Sequence, residues 1–384
     1  MNIRLASLAW QNRAGRLAAT PLRRLFVVVG LGIAPVVTNL TASGDWARLP
    51  RTNLLVYHGR RGEVLPVVSK SDWQARRAEI VRGFEQVAGR LPGREKRCAL
   101  DFRCEEKTDC GTYERQFITY ASEPGSRVPA YLLVPKAARE SRKKTPAVLC
   151  LHPTDMEYGH RVAVEKLREY YRAYAHDLAV RGFVTLAPAY PMMANYQPDL
   201  KALGWQSGTL KAVWDNMRGL DLLDSLPYVK SGTYGVIGHS LGGHNAIYTA
   251  VFDQRIKVIV SSCGFDSYLD YYDGNPDNWQ PEHGWCQNRY LPKLAEYRGR
   301  LAEIPFDFSE LLGAMAPRSV FINAPLNDSN FKARSVDEIV NVGMAVYRLY
   351  GMQDNLKVEH PATGHDFPEA QREQAYGLLA AKLR

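Results

Sequence analysis

From about residue 114 onward the apolar positions of this chain follow two alternating rhythms. Short apolar runs predict strands over Glu114 to Tyr120, Val128 to Val134, Ala147 to Leu151, Phe183 to Tyr190, Tyr234 to Gly238, Ile256 to Ser262, Ser319 to Ala324 and Asn355 to His360. Between the later runs, apolar residues recur every three or four positions over 164–180, 210–225, 244–252, 336–350 and 369–383, which is the helical period. The first two strands flank Glu123-Pro124-Gly125-Ser126 and read as an antiparallel hairpin. The regular strand and helix alternation that follows predicts an α/β fold, a doubly wound, mostly parallel sheet spanning 114–384.

Two regions stand outside that rhythm. Residues 44–113 form an N-terminal arm with one amphipathic helix, Asp72 to Ala88, and a polar stretch holding Cys98, Cys104 and Cys110. Residues 265–314 interrupt the sheet with an aromatic-rich insertion. Its place between two late strands makes it either a cap over the site or a loop buried on its own aromatics.

The leader has a different logic. Residues 1–24 hold Arg4, Arg13, Arg16, Arg23 and Arg24 and no acid; Leu25 to Val37 is apolar, and Thr41-Ala42-Ser43 supplies small residues. That order predicts an export signal over 1–43, with Arg23-Arg24 in the manner of a twin-arginine signal and no stable membrane span in the mature protein; the alternative is a cytoplasmic enzyme. More than half of the net charge of +9 lies in this leader. The remainder carries no basic and aromatic stripe, so no nucleic-acid partner is expected. In an oxidising compartment, two of Cys98, Cys104 and Cys110 are expected to pair. Cys150 and Cys263 fall in or beside core strands and read as inert packing, with Cys286 left over. No Cys-x-x-Cys or paired-histidine spacing suggests a metal.

Candidate chemistry concentrates at Gly238-His239-Ser240-Leu241-Gly242-Gly243, between an apolar run and a helical segment. A Gly-x-Ser-x-Gly turn between strand and helix lifts a serine hydroxyl above the sheet, with glycines where a side chain would collide. Asp328 follows the strand Ser319 to Ala324, and His365 follows the last strand. Ser240, Asp328 and His365 thus stand in the order nucleophile, acid, base, each at the C-terminal end of a strand. Asp266, Asp337 and Glu338 compete with Asp328 for the acid. The oxyanion donors expected are the backbone N–H groups of Leu241 and of Thr154, since Pro153 has none to give. His152, His239 and His244 read as packed polar groups, and Asp215, Arg218 and Asp221 as a salt bridge along one helix face.

These pieces, with Cys150-Leu151-His152-Pro153-Thr154 and Trp214-Asp215-Asn216-Met217-Arg218, resemble α/β-hydrolase esterases of the acetyl xylan esterase and dienelactone-hydrolase-like group. The resemblance implies a serine ester hydrolase with no cofactor, acting on small-molecule or carbohydrate esters. Dienelactone hydrolases proper use a cysteine nucleophile, so Ser240 favours ester over lactone cleavage. Two other classes are weighed beside it. A prolyl-oligopeptidase-like serine peptidase shares the residue order but calls for a propeller that the segment before residue 114 is too short to build. A non-catalytic binding protein of the same fold need keep none of the three residues.

Overall fold

The computed structural model describes residues 46–384; the leader expected over 1–43 lies outside them. The described chain begins with a small antiparallel ribbon, β1 (Val56–His58) and β2 (Val64–Pro66). Helix α1 (Lys70–Ala88) follows, opened by a reciprocal cap in which Ser69 Oγ accepts from the Asp72 N–H and the Asp72 carboxylate accepts from the Ser69 N–H. Trp73, Ile80, Phe84 and Val87, spaced by helical turns, are buried on its inner face.

The main sheet opens with three antiparallel strands, β3 (Arg103–Asp109), β4 (Tyr113–Glu123) and β5 (Ser126–Pro135). After the short α2 (Lys136–Glu140), the chain alternates through β6 (Thr145–Leu151), α3 (Tyr174–Val180), β7 (Val184–Pro188), α4 (Gly208–Ser225), β8 (Val229–His239), α5 (Leu241–Phe252) and β9 (Ile256–Ser262). It ends with α6 (Phe308–Met315), β10 (Ser319–Asn323), α7 (Ala333–Tyr350), β11 (Leu356–Glu359) and α8 (Glu369–Leu383). The nine strands run in the order β11-β10-β9-β8-β6-β7-β5-β4-β3. Pairing is parallel from β11 to β7 and antiparallel from β7 to β3.

Alternate residues of the central strands feed two cores. Ala147, Leu149 and Val236 point to the face covered by α1 and α4 to α7, whereas Val148, Cys150 and Ile237 meet α3 and α8. A parallel sheet covered on both faces places its reactive groups at the strands' C-terminal ends. Among the described residues no helix is long and apolar enough to cross a membrane.

The structure departs from the sequence reading at four places. The helix expected over 164–180 is formed only from Tyr174, because Arg168 and Arg172 are drawn into ion pairs with Asp155 and Asp366 and hold the stretch open. The polar arm contributes β3, whose exposed charges blunt the sheet's outer edge. Arg218 pairs with Asp221, but buried Asp215 turns instead to Lys211, one helical turn before it, and to the Tyr196 hydroxyl at 2.8 Å. All six cysteines are free, so the expected disulfide is absent. Cys104 lies on β3 and Cys110 just past its end, roughly 20 Å apart along an extended strand, far beyond the spacing a disulfide bridges.

Candidate active site

Strand β8 runs into α5 through a single residue, Ser240, at φ 54° and ψ −119°. Non-glycine residues seldom adopt this backbone conformation, and the surroundings hold it in place. The Ser240 N–H donates to the Ser262 carbonyl at 2.8 Å. A Cβ on Gly242 would lie 2.0 Å from the Leu151 carbonyl oxygen, and one on Gly238 would lie 2.2 Å from that of Gly242. Only glycine permits β8, β6 and α5 to converge this closely. Ser240 is thereby raised, half-buried, at the N-terminus of α5, where the Leu241 N–H is one of the helix's free donors.

Asp328 and His365 are brought together by two loops that leave β10 and β11 side by side. The Leu326 and Asn327 N–H groups donate to the Pro361 and Thr363 carbonyls at 3.0 and 3.1 Å. His365 Nδ1 then lies 2.9 Å from each carboxylate oxygen of Asp328, whose side chain is only 1% exposed. Burial opposes charge on Asp328, but His365 and the Asn330 N–H outweigh it and hold the carboxyl below the usual range. The competing acids go elsewhere. Asp337 meets His360 Nε2 at 2.9 Å. Asp266 accepts from the Lys332 N–H at the start of α7, and burial raises its carboxyl to about 8. Glu338 faces Arg334.

A cavity of about 890 Å³ is lined by Ser240 and His365 together with Thr154, Arg168 and Arg172. Among the described residues no hydrogen bond joins the Ser240 hydroxyl to the His365 imidazole; such contacts are often long before substrate binds. Behind His365 the ring of buried His239 lies 4.9 Å away, its Nδ1 3.0 Å from Ser262 Oγ. Burial, with Arg172 and His365 adding to it, keeps His239 neutral. Arg172 fixes the His365 loop by donating to the Asp366 carboxylate at 2.7 Å. Sequence reasoning missed Arg172, since nothing in its neighbourhood distinguishes it from a surface arginine.

Thr154 is exposed at the rim, and its hydroxyl meets that of Tyr290 at 2.9 Å. The loop beneath it is firmly tied: Asp155 accepts from the Glu157 and Tyr158 N–H groups and takes both nitrogens of an Arg168 fork. His152 accepts the Tyr190 N–H at Nε2 and donates from Nδ1 to the Pro153 carbonyl, and burial draws its pKa down to about 4. It is a loop anchor.

On the other side of Ser240 lies a smaller compartment of about 160 Å³, lined by Leu241, Thr154, His244, Trp285, Tyr290 and Phe331. Residues of the insertion occur in both settings. Tyr268 and Trp279 are fully buried in its own core, while Trp285 and Tyr290 wall the compartment. His244 is buried as expected and also borders the compartment. Its Nδ1 faces the Gly264 carbonyl at 3.1 Å and must carry the proton, which leaves buried Nε2 as an acceptor with no partner. Burial lowers its pKa to about 3, so it stays neutral. The Trp285 ring is 4.7 Å away, and its indole N–H is also buried and unpartnered.

Comparison with known proteins agrees with this architecture. The structure superposes on a glucuronoyl esterase from Solibacter usitatus with a TM-score of 0.67 at 19% identity, covering 88% of this chain and all of that one. It also superposes on a putative acetyl xylan esterase from Bacteroides fragilis (TM-score 0.56, 16% identity, 82% of this chain and 84% of that one). A family model described as glucuronyl esterase, fungi, matches residues 201–351. The chain has the α/β-hydrolase fold. In sequence, the chain is 27% identical over 314 residues to the putative hydrolase YtaP of Bacillus subtilis, covering 79% of this chain and 98% of the relative.

Proposed function

We propose that this α/β-hydrolase cleaves carbohydrate esters through an acyl-enzyme on Ser240, with His365 as base and then acid, and Asp328 holding its tautomer. The observation that carries the reading is the contact of His365 Nδ1 with both oxygens of a buried, ionised Asp328, beside a serine strained upward at a helix N-terminus. With Nδ1–H engaged by Asp328, Nε2 is the nitrogen free to take the Ser240 proton as Oγ attacks the ester carbonyl. The oxyanion would be met by the N–H groups of Leu241 and Thr154. His365 then protonates the departing alkoxide, and in the second half-reaction it activates the water that releases the acid.

That chemistry assigns the two compartments. The alcohol must leave on the side of His365, hence through the large cavity, so the acyl group occupies the small one. At roughly 30 Å³ per water molecule, the small compartment holds about five waters' volume. That is room for a compact ring or a short acyl group. Its lining mixes the rings of His244, Trp285 and Tyr290 with polar Thr154, Gln287 and Asn330, which suits a hydroxylated acyl group better than an acetyl methyl. A sugar acid is such a group, in keeping with the glucuronoyl esterases named above. Export through the 1–43 leader would bring the enzyme to such polymers.

The test is kcat/KM on a methyl ester of glucuronic acid, on acetylated xylan, on p-nitrophenyl acetate and on peptide anilides. The uronate ester is expected to lead, with Trp285→Ala removing most of that lead. Equal or better turnover of acetyl esters, unaltered by Trp285→Ala, would overturn the acyl assignment.

A further inference from the structure

Cys263 follows β9 directly, at a φ of 47° that places its side chain beneath the two catalytic loops. The thiol is 2% exposed and held 3.2 Å from the Asp366 carbonyl. Its sulfur, a carboxylate oxygen of Asp328 and a ring nitrogen of His365 all lie within 4.8 Å of one another. The nitrogen turned to this group is Nδ1, which already faces Asp328.

We propose that Cys263, Asp328 and His365 form a capture site for a thiophilic divalent cation, Zn²⁺, and that the ion switches the hydrolase off. Sulfur, imidazole nitrogen and carboxylate oxygen are the donor types zinc takes in fours, the last position here going to water. With bonds of about 2.0–2.3 Å, a tetrahedral ion spaces its ligand atoms roughly 3.3–3.8 Å apart, so the Asp328 and His365 atoms, now 2.9 Å apart, open slightly while the Cys263 sulfur, within 4.8 Å of both, draws in by up to about 1 Å. On binding, the Cys263 S–H bond breaks, its proton leaves to solvent and a Zn–S bond forms. The ion takes the Nδ1 lone pair, so the neutral imidazole carries its proton on Nε2. An Nε2–H has no lone pair to receive the Ser240 proton. Turnover therefore stops while both substrate compartments remain open, and kcat falls at constant KM.

The inference of inhibition rests on His365 as the base, whereas the binding site itself does not. Cadmium titration of the full chain, read by the ultraviolet charge-transfer band of a cadmium thiolate, tests the site without any turnover. The band is expected in the wild type and in Cys286→Ser, which removes another buried thiol, and not in Cys263→Ser. Zinc inhibition of ester hydrolysis should weaken at least about tenfold in Cys263→Ser relative to that variant's own metal-free rate. Should that variant fail to fold, zinc K-edge absorption on the loaded wild type decides: one sulfur in the first coordination sphere supports the site, and none overturns it. A band without inhibition would keep the site and overturn His365 as base. Inhibition equal in Cys263→Ser and wild type, with no band, would overturn the site.

Discussion

Asp328→Asn isolates the contact on which the proposed chemistry depends. In the native site Oδ1 of Asp328 accepts the Asn330 N–H at 2.8 Å and the Phe331 N–H at 3.3 Å, and both oxygens stand 2.9 Å from His365 Nδ1. The two backbone donors would pin the amide oxygen of an asparagine at the Oδ1 position. Its NH₂ group then takes the place of Oδ2 and points two hydrogens at His365. An Nδ1–H facing that donor is repelled, so the imidazole adopts the other tautomer and presents Nε2–H to Ser240. The expected loss in kcat is about 10⁴, or roughly 5.5 kcal/mol of barrier, with KM little changed. Side-chain volume is conserved, so thermal unfolding should shift only modestly. The assay is steady-state hydrolysis of a soluble ester, with Asp266→Asn and Asp337→Asn beside it. Neither of those residues touches His365, and each variant should keep activity within a few-fold. A loss under tenfold in Asp328→Asn, or a larger loss in Asp266→Asn, would refute the assignment of the acid.

The remaining predictions concern the frame of the site. The Asp266 carboxyl is raised to about 8 by burial, so the native state holds a proton that the unfolded chain releases near pH 4. Stability from this group is present at low pH and is lost as pH rises towards 8. Asp266→Asn, which keeps the acceptor for the Lys332 N–H, should thus gain on the wild type between pH 5 and 8 by an amount on the order of a few kcal/mol; parallel stability curves would contradict this. Gly242→Ala forces a Cβ to within 2.0 Å of the Leu151 carbonyl oxygen and should cost more than about 2 kcal/mol, read as a lower urea midpoint with lost activity.

Much of the sheet was legible because its strands are buried on both faces and so read as unbroken apolar runs; Ile256–Ser262 and the helix Glu369–Leu383 match residue for residue. What escaped was set by partners distant in sequence. Strand β3 is polar throughout, its place fixed by pairing with β4. The helical pattern after Val164 yields to ion pairs of Arg168 and Arg172 with residues 13 and 194 positions away. Asp215 and Arg218 share a helix face, yet Lys211 offers Asp215 a buried partner on its own helix. The proposed nucleophile and base could be picked out by motif and order, but for the proposed acid the choice among Asp266, Asp328 and Asp337 turns on which loop runs beside that of His365. Likewise the sequence marks His244 as a helix residue behind the elbow; its unpartnered nitrogen becomes visible only once the insertion folds over it.

The central claim is that Ser240 carries the acyl group. Mass spectrometry of the protein treated with a fluorophosphonate tests it most directly, since the reagent adds covalently to a serine whose proton a neighbouring base removes. The account predicts a single adduct on Ser240, parallel loss of esterase activity, and no adduct in either Ser240→Ala or His365→Ala. An adduct on another residue, or full turnover in Ser240→Ala, would contradict it.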